Sequence, residues 1–341
     1  MRTLIERLCA DDCAGRATGT AGGLLARSIV VDALRGAGLD PHEQALPNIG
    51  GANVLATVRG SLDRYLLVGA HFDHLGQSGS VIYRGADDNA ASVAVLVEVA
   101  RALALRPPEG RGVIFAAFDA EEPPHFVTEN MGSVVFAAHP TVPLAQIDLM
   151  VCLELIGHAL GPAGTPTAVR ESMFALGGER SVGTLAQLEA HATSEPGLLI
   201  RPADAELIPP LSDYFAFWAQ QRPFLLLTGA RSRHYHSPTD VPAHLDFARI
   251  GATARWLERF VRAQCARSPE PFAFLSQRDD RSTLDSLGAL LASLAPVNPL
   301  AAMAHAEVVA LRGAVERSGA LPSSHQGRLS ALVQGIEAAL G

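Results

Sequence analysis

The chain has 341 residues, of which 48% are hydrophobic and 18% charged; this composition supplies a large buried core and excludes extended disorder. Its formal net charge is -8 and its 27 Lys and Arg residues form no basic run, which argues against nucleic acid or an anionic membrane as the main partner. Its four cysteines show no CxxC pairing, so buried structural thiols are expected.

Helix-like and strand-like patterns alternate along most of the chain. Residues 1–14 contain no continuous apolar run, so neither a signal peptide nor a membrane span is predicted, and a cytoplasmic location is expected. The patterns then predict helices over residues 22–37, 90–105 and 246–267, and apolar strands over residues 53–58, 65–70, 113–118, 149–153 and 224–228. Continuous apolar strands separated by helices indicate a mostly parallel sheet that is covered on both faces.

Residues 268–341 differ in composition from the rest. Pro269 and Pro271 interrupt the chain, and Ala-rich helical patterns follow, with leucines at helical spacing from Leu284 onward. We therefore predict a main domain over residues 1–267 and a helical C-terminal extension over residues 268–341. The apolar stripes of the extension must be buried, either on the main domain or on another subunit of a homo-oligomer.

Ligands of parallel sheets bind beyond the carboxyl ends of the strands, so the residues that follow each apolar run are the first candidates for chemistry. His71 directly follows one such run, and Asp73 is placed to hydrogen-bond the second ring nitrogen of that histidine. Alone, this HxD pattern also fits a surface loop. Asp87 and Asp88 precede a predicted helix, where Asp88 or Asn89 can cap the helix while another residue of the segment binds metal.

Acidic residues also lie at the ends of later apolar runs. Glu121 and Glu122 follow the strand over residues 113–118, where charge is costly unless it is compensated; a solvated acidic turn is the alternative interpretation. One of two neighbouring carboxylates can bind a cation while the other accepts a proton from water. Glu154 lies within an apolar stretch, where lone acids are usually paired or metal-bound.

Together, these segments resemble the M28 metallopeptidase family from about residue 6 to residue 260. The resemblance rests on the order of HFD at residues 71–73, GADDNA at 85–90, the pair Glu121-Glu122, Glu154 before Ile-Gly, and YHSPTD at 235–240. It implies an α/β fold, a three-layer α/β/α sandwich around a mixed, mostly parallel sheet, here with a C-terminal helical extension.

The resemblance also implies a site of two zinc ions bridged by Asp87. One ion would be completed by His71 and Glu154, and the other by Glu122 and His236. Three further residues would take part in catalysis: Glu121 as the general base, Asp73 as the hydrogen-bond partner of His71, and Tyr235 as a hydrogen-bond donor to the developing oxyanion.

The sequence departs from the family pattern at two places. Glu154 stands where the family commonly has Asp, so its extra methylene must be absorbed by the backbone position or by a different coordination mode. Residues 123–131 form a longer loop after Glu122, which is expected to reshape the substrate pocket. We expect an acid of this loop, such as Glu129, or Glu154 itself to bind a substrate ammonium group.

The resulting expectation is a zinc-dependent hydrolase that removes amino-terminal residues from peptides. A glutaminyl-cyclase-like activity or a small-metabolite amidase would use the same scaffold, with a peptide or small amide as substrate. The complete ligand set favours two metals and hydrolysis, because the cyclases resemble a one-metal version. A non-catalytic binding protein, as among relatives of transferrin receptors, would be indicated by lost ligands, and none is lost.

Overall fold

The structure, a computed structural model, describes residues 1–340 and contains ten strands. In chain order the strands are β1 His42–Ala45, β2 Ala52–Val58, β3 Tyr65–His71, β4 Gly76–Ser78, β5 Val81–Tyr83, β6 Gly112–Phe118, β7 Ile147–Glu154, β8 Ser172–Leu176, β9 Leu199–Ala203 and β10 Phe224–Thr228. Each predicted strand is present, with bounds that differ by a few residues.

Eleven α-helices accompany these strands within residues 1–340. They are α1 Arg2–Leu8, α2 Ala21–Gly36, α3 Ala91–Leu105, α4 Gly132–Ala138, α5 Thr167–Arg170, α6 Thr184–His191, α7 Tyr214–Ala219, α8 Phe247–Cys265, α9 Asp280–Leu294, α10 Pro299–Ser318 and α11 Ser323–Leu340. None of the helices within this range combines the length and the hydropathy that a membrane span requires.

Eight strands form one sheet in the order β1-β2-β6-β3-β7-β10-β8-β9, and β4 pairs with β5 in a separate hairpin. The central strands β6, β3, β7 and β10 are parallel to one another, whereas β2 is antiparallel to both β1 and β6, and β8 is antiparallel to β10. β3 and β6 are buried along their whole length, as their uninterrupted apolar sequences require. The sheet is therefore mixed, and its centre is parallel.

Helices cover both faces of the sheet. On one face, Trp256 and Phe260 of α8 join α1, α2 and α3 in a core with sheet residues such as Val68. On the other face, Phe136 of α4 and Phe217 of α7 pack against the opposite side of the same strands. This arrangement confirms the predicted α/β/α sandwich.

Side-chain caps fix the ends of several helices. The Thr20 hydroxyl accepts the Gly23 amide at the start of α2, and the Asp246 carboxylate accepts the Arg249 amide at the start of α8. Such caps satisfy backbone donors that lack a partner within the helix. α10 ends before Gly319, whose φ of 81° favours glycine.

The C-terminal extension packs against its own chain. The α9 residues Leu284, Leu287 and Leu291 are buried in a cluster that includes Leu160 and Val169, which lie between β7 and β8. The Ser286 hydroxyl also donates to the Pro202 carbonyl in β9 at 2.6 Å. The leucine stripe of α9 is thus covered without a second subunit, and a homo-oligomer built through the extension stays a prediction.

Candidate metal centre

The carboxyl ends of β3, β6, β7 and β10 lie side by side, and predicted site residues gather at this edge of the sheet. His71 is the last residue of β3 and Glu154 the last residue of β7. Glu121 and Glu122 lie just after β6, and His236 lies in the loop after β10. The parallel central strands bring these residues together, because neighbouring parallel strands end at the same edge.

Asp88 lies between two groups of metal-binding atoms. Its Oδ1 is 3.3 Å from Nε2 of His71, and its Oδ2 is 3.2 Å from Nε2 of His236. On the first side, Glu154 Oε1 is 3.2 Å from His71 Nε2. On the second side, Glu122 Oε2 is 3.2 Å from His236 Nε2. Because its two oxygens face different groups, Asp88 has the geometry of a carboxylate that bridges two cations.

This geometry corrects the choice of Asp87 as the bridging residue. The Asp87 carboxylate turns away from the ligand groups: Oδ1 accepts the Gly157 amide at 2.5 Å, and Oδ2 lies 2.7 Å from His158 Nδ1. The backbone of Asp88 is not helical, with φ -108° and ψ 81°, so neighbouring side chains of this segment point in different directions. Asp240 fixes the segment by accepting the amides of both Asp87 and Asp88.

His74, for which no role was predicted, also contacts the centre. Its Nδ1 is 2.7 Å from Glu122 Oε1 and 3.8 Å from Asp88 Oδ2. The ligand atoms of His74, Asp88 and Glu122 lie within 4.8 Å of one another, as do those of His71, Asp88 and Glu154. Glu122 is thus contacted on both oxygens, by His74 and by His236. The signal in the sequence was the histidine directly after the HFD motif.

Asp73 performs a different positioning task from the one predicted. Its carboxylate accepts the backbone amides of Glu121 and Glu122, each at 3.1 Å. The predicted contact with His71 is longer, at 3.6 Å to Nδ1, whereas the Asp73 carbonyl oxygen lies 3.2 Å from the same nitrogen. Asp73 therefore orients His71 through its carbonyl and holds the two glutamates through its carboxylate.

Ser212 and Asp213, which were not predicted as site residues, lie beside Glu154. The Ser212 hydroxyl donates to Glu154 Oε2 at 2.6 Å, so both oxygens of this longer acid have a partner. Asp213 is fully buried, and burial raises its pKa to about 7. In the sequence, a Ser-Asp pair before a short aromatic helix is typical of a helix cap. The pattern therefore did not indicate that these two residues belong to the site.

The carboxylates of the centre carry more negative charge than their surroundings balance. Asp88, Glu121 and Glu122 have side chains that are 3%, 7% and 4% exposed. Among residues 1–340, no arginine forms an ion pair with any of these three or with Glu154. Burial raises the pKa of Glu121 well above its ordinary value and also raises that of Glu154. Uncompensated buried charge is costly, so these residues fit divalent cations.

The same carboxylates raise the pKa values of two histidines of the centre. Burial alone would lower the pKa of His236, but hydrogen bonds to Asp88 and Glu122 raise it to about 10. Burial also opposes the charged form of His71, yet Glu154 and Glu121 raise its pKa well above the ordinary value. A cation bound at the ligand nitrogens would replace these protons. Nitrogen and carboxylate ligands without thiolate fit zinc.

A cavity of about 960 Å³ opens from the ligand groups. Glu121, Tyr235 and His236 line it, and the Tyr235 ring stacks on His236 with 3.9 Å between ring centroids. Pro123 and Phe126 of the long loop also line this cavity, whereas Glu129 does not. The loop therefore reaches the site through apolar residues.

Residues 53–261 match the sequence model of a protein family, described as peptidase family M28. The match contains every ligand group described above. The uncharacterized protein YfbL of Escherichia coli is 29% identical over 229 residues, which cover 61% of this chain and 70% of YfbL. A probable zinc metalloprotease of Pyrenophora teres f. teres is 33% identical over 130 residues, or 36% of this chain and 26% of that protein.

Solved structures share the fold at low sequence identity. The aminopeptidase LapA of Legionella pneumophila has a TM-score of 0.64 and 13% identity, and the match covers 78% of this chain and 72% of LapA. A glutaminyl cyclase of Porphyromonas gingivalis has a TM-score of 0.60 and 19% identity, covering 77% of this chain and 96% of the cyclase. At these identities the two structures establish the fold alone.

Proposed function

The chain belongs to peptidase family M28 and is a zinc hydrolase, and from this premise we propose that it is an aminopeptidase with two zinc ions. The observation that carries the proposal is the shared carboxylate of Asp88, with its two oxygens facing two separate ligand groups. One zinc would be held by His71, Asp88 and Glu154, and the other by Asp88, Glu122 and His236. His74 would orient Glu122 through its contact with Oε1.

The residues around these ligands supply the other parts of an amide hydrolysis. When bound, zinc polarises the substrate carbonyl and lowers the pKa of a water molecule. Glu121 accepts the proton of the attacking water and transfers it to the leaving amine. Its Oε2 lies 3.8 Å from His71 Nε2, and Asp73 fixes its backbone amide. Tyr235, which lines the cavity, would donate a hydrogen bond to the developing oxyanion.

The complete group around His71 favours hydrolysis over glutaminyl cyclisation. Glu154 replaces the Asp common in the family, yet it still reaches His71 Nε2 at 3.2 Å while Ser212 holds its other oxygen. Two ligand groups are therefore present, whereas the cyclases resemble a one-metal version of the family. The negative charge of the site also suits the ammonium group of a free amino terminus, with Glu154 as the proposed contact.

Three matched substrates test this function on the zinc-loaded protein. Alanine 4-nitroanilide should be cleaved, and its N-acetyl derivative should be cleaved about 10- to 100-fold more slowly, because hydrogen bonds to a charged group contribute about 1.5–3 kcal/mol. A peptide that begins with glutamine should lose that residue without forming pyroglutamate. The control for background cleavage is Glu121→Gln.

Two outcomes would contradict the proposal. Equal rates for the free and blocked anilides would indicate an amidase that does not recognise the amino terminus. Formation of pyroglutamate from the glutamine peptide would indicate a cyclase.

A further inference from the structure

The cavity at the metal centre has a wall that lies outside the family match. Family similarity ends at residue 261, but α11 begins at Ser323. Six residues of α11 line the same cavity as the catalytic groups: Ser330, Val333, Gln334, Ile336, Glu337 and Leu340. They recur at each turn, at 330, 333–334, 336–337 and 340, which places them on one side of the helix. The C-terminal helix therefore presents one continuous face to the active-site cavity.

The remainder of the cavity next to α11 is largely apolar. Leu207, Ile208 and Leu211, from the segment between β9 and α7, line it, together with Phe174 of β8 and Leu226 of β10. The cavity reaches from these residues to Glu121 without a break. A molecule whose amide bond lies at the metal centre can thus place an adjoining group among them.

Part of the apolar surface of α11 stays open to the cavity, although Leu329 and Leu340 belong to the buried cluster of the extension and Val333 and Ile336 pack against that cluster. Only Leu329 and Leu340 of this helix are buried, and Val333 and Ile336 remain partly exposed although they line the cavity. The free energy falls when an apolar ligand removes the apolar surface of a concave site from water. Contact of an apolar ligand with Val333 and Ile336 is therefore favourable.

Polar contacts tie α11 to the catalytic side of the cavity. The Gly161 amide donates to the Leu340 carbonyl at 3.0 Å, and Arg231 pairs with Glu337 at 3.7 Å. Arg231 also lies over the Tyr235 ring, 5.2 Å from its centroid. These contacts place the apolar side of α11 at a defined distance from the residues around His236.

We propose that α11, which lies outside the family match, forms the specificity wall of the active site, with Val333 and Ile336 contacting the apolar group that a substrate places in the cavity. The inference rests on the proposed aminopeptidase function and adds the residues that determine its choice of substrate. The cavity of about 960 Å³ lies near the upper end of the roughly 300–1,000 Å³ of small-molecule sites. That volume accommodates a short peptide with a large first side chain.

The test compares leucine and alanine 4-nitroanilides in two matched variants of α11. The wild-type kcat/KM should be at least about 10-fold higher for leucine, because one methylene in an apolar pocket changes discrimination by about 10- to 200-fold. Ile336→Glu should lower this ratio towards one. Ala338→Glu places the same charge on an exposed residue outside the cavity lining and should keep the wild-type ratio. Val333→Ser should repeat the effect of Ile336→Glu with a smaller change.

A binding measurement separates this inference from the proposed function. Trp218 lines the cavity, so its fluorescence should respond to leucinol at lower concentrations than to ethanolamine, which lacks the isobutyl group. Ile336→Glu should weaken leucinol binding by at least about 10-fold, and Ala338→Glu should not change it. If no anilide were cleaved while leucinol still bound in this pattern, the aminopeptidase proposal would fail and the apolar pocket would stand. Equal leucinol binding by all three proteins, or equal leucine preference, would overturn the role of α11.

Discussion

Two walls of the same cavity are built from different kinds of interaction. On the metal-binding side, side chains at the ends of buried strands are fixed by hydrogen bonds, such as those that the Asp73 carboxylate accepts from the amides of Glu121 and Glu122. On the α11 side, Val333 and Ile336 are partly exposed, and the helix buries only two of its residues. The first wall is rich in charge, whereas three of the six α11 residues on the second wall are apolar and only Glu337 is charged.

This difference shows how a reaction and its substrate choice can be divided within one chain. Metal ligands and a general base must be held in a defined geometry, which strand ends and buried hydrogen bonds provide. An apolar wall needs only the correct size and position. The matched residues 53–261 contain the first wall, whereas α11 lies beyond them. We therefore propose that the family fold carries the chemistry and that the extension contributes to the selection of substrate.

The largest loss is expected from changing the general base of the charged wall. Glu121→Gln keeps the size of the side chain but cannot accept the proton, so kcat should fall by about 10²–10⁴-fold while zinc content stays at the wild-type level. Glu122→Gln should lower activity by removing a ligand, so zinc content should fall with it and excess zinc should restore part of the rate. Parallel assays of rate and elemental zinc distinguish the two roles.

The reverse pattern would require the roles to be exchanged. If Glu121→Gln emptied the site while Glu122→Gln left it filled, Glu121 would be the ligand. If neither change affected the rate, the hydrolase mechanism proposed for this wall would fail.

A smaller effect is expected where the charged wall is held by hydrogen bonds. Asp73→Asn leaves one oxygen to accept an amide and turns an NH₂ group towards the other, so one of the two glutamates should lose its support. We expect zinc affinity or kcat to fall by about 10- to 100-fold, as is typical when a partner of a metal ligand is lost. Competition with a zinc chelator gives the affinity. The exposed Asp40→Asn is the matched control and should behave as wild type.

The same variant sharpens the comparison of the two walls. Because Asp73 acts on the metal-binding side, Asp73→Asn should lower the rates for leucine and alanine anilides by equal factors. A change in the ratio of the two rates would mean that the walls are coupled and that chemistry and substrate selection are not divided between them.

The sequence was sufficient to predict the elements that carry the charged wall. β3, β6, β7 and β10 each contain a continuous apolar run, and such runs, separated by helical patterns, indicate buried strands of a mostly parallel sheet. The polar residues that interrupt or follow these runs are conspicuous for the same reason. The sequence pattern therefore singled out His71, Glu122 and Glu154 at the ends of these strands, and the resemblance to the M28 family added His236 and the grouping of the four as ligands.

The sequence pattern could not decide which of two neighbouring residues takes a given role. Asp87 and Asp88 have the same chemistry, and only the backbone angles at Asp88 decide which carboxylate faces His71 and His236. β9 was missed because it contains Arg201 and Pro202, which argue against a strand within a sheet. The position of α11 over the cavity depends on contacts between distant segments, such as Gly161 with Leu340, which periodicity does not encode.

The zinc content of two neighbouring variants tests the central claim most directly. Wild-type protein should bind two zinc ions per chain; Asp88→Asn should lose both or weaken both strongly, because it removes a charge shared by the two ligand groups. Asp87→Asn should keep both ions, since its carboxylate contacts Gly157 and His158 rather than the ligand groups. Melting curves of the metal-free proteins control for changes in folding. Full zinc content in Asp88→Asn together with its loss in Asp87→Asn would contradict the bridging role of Asp88.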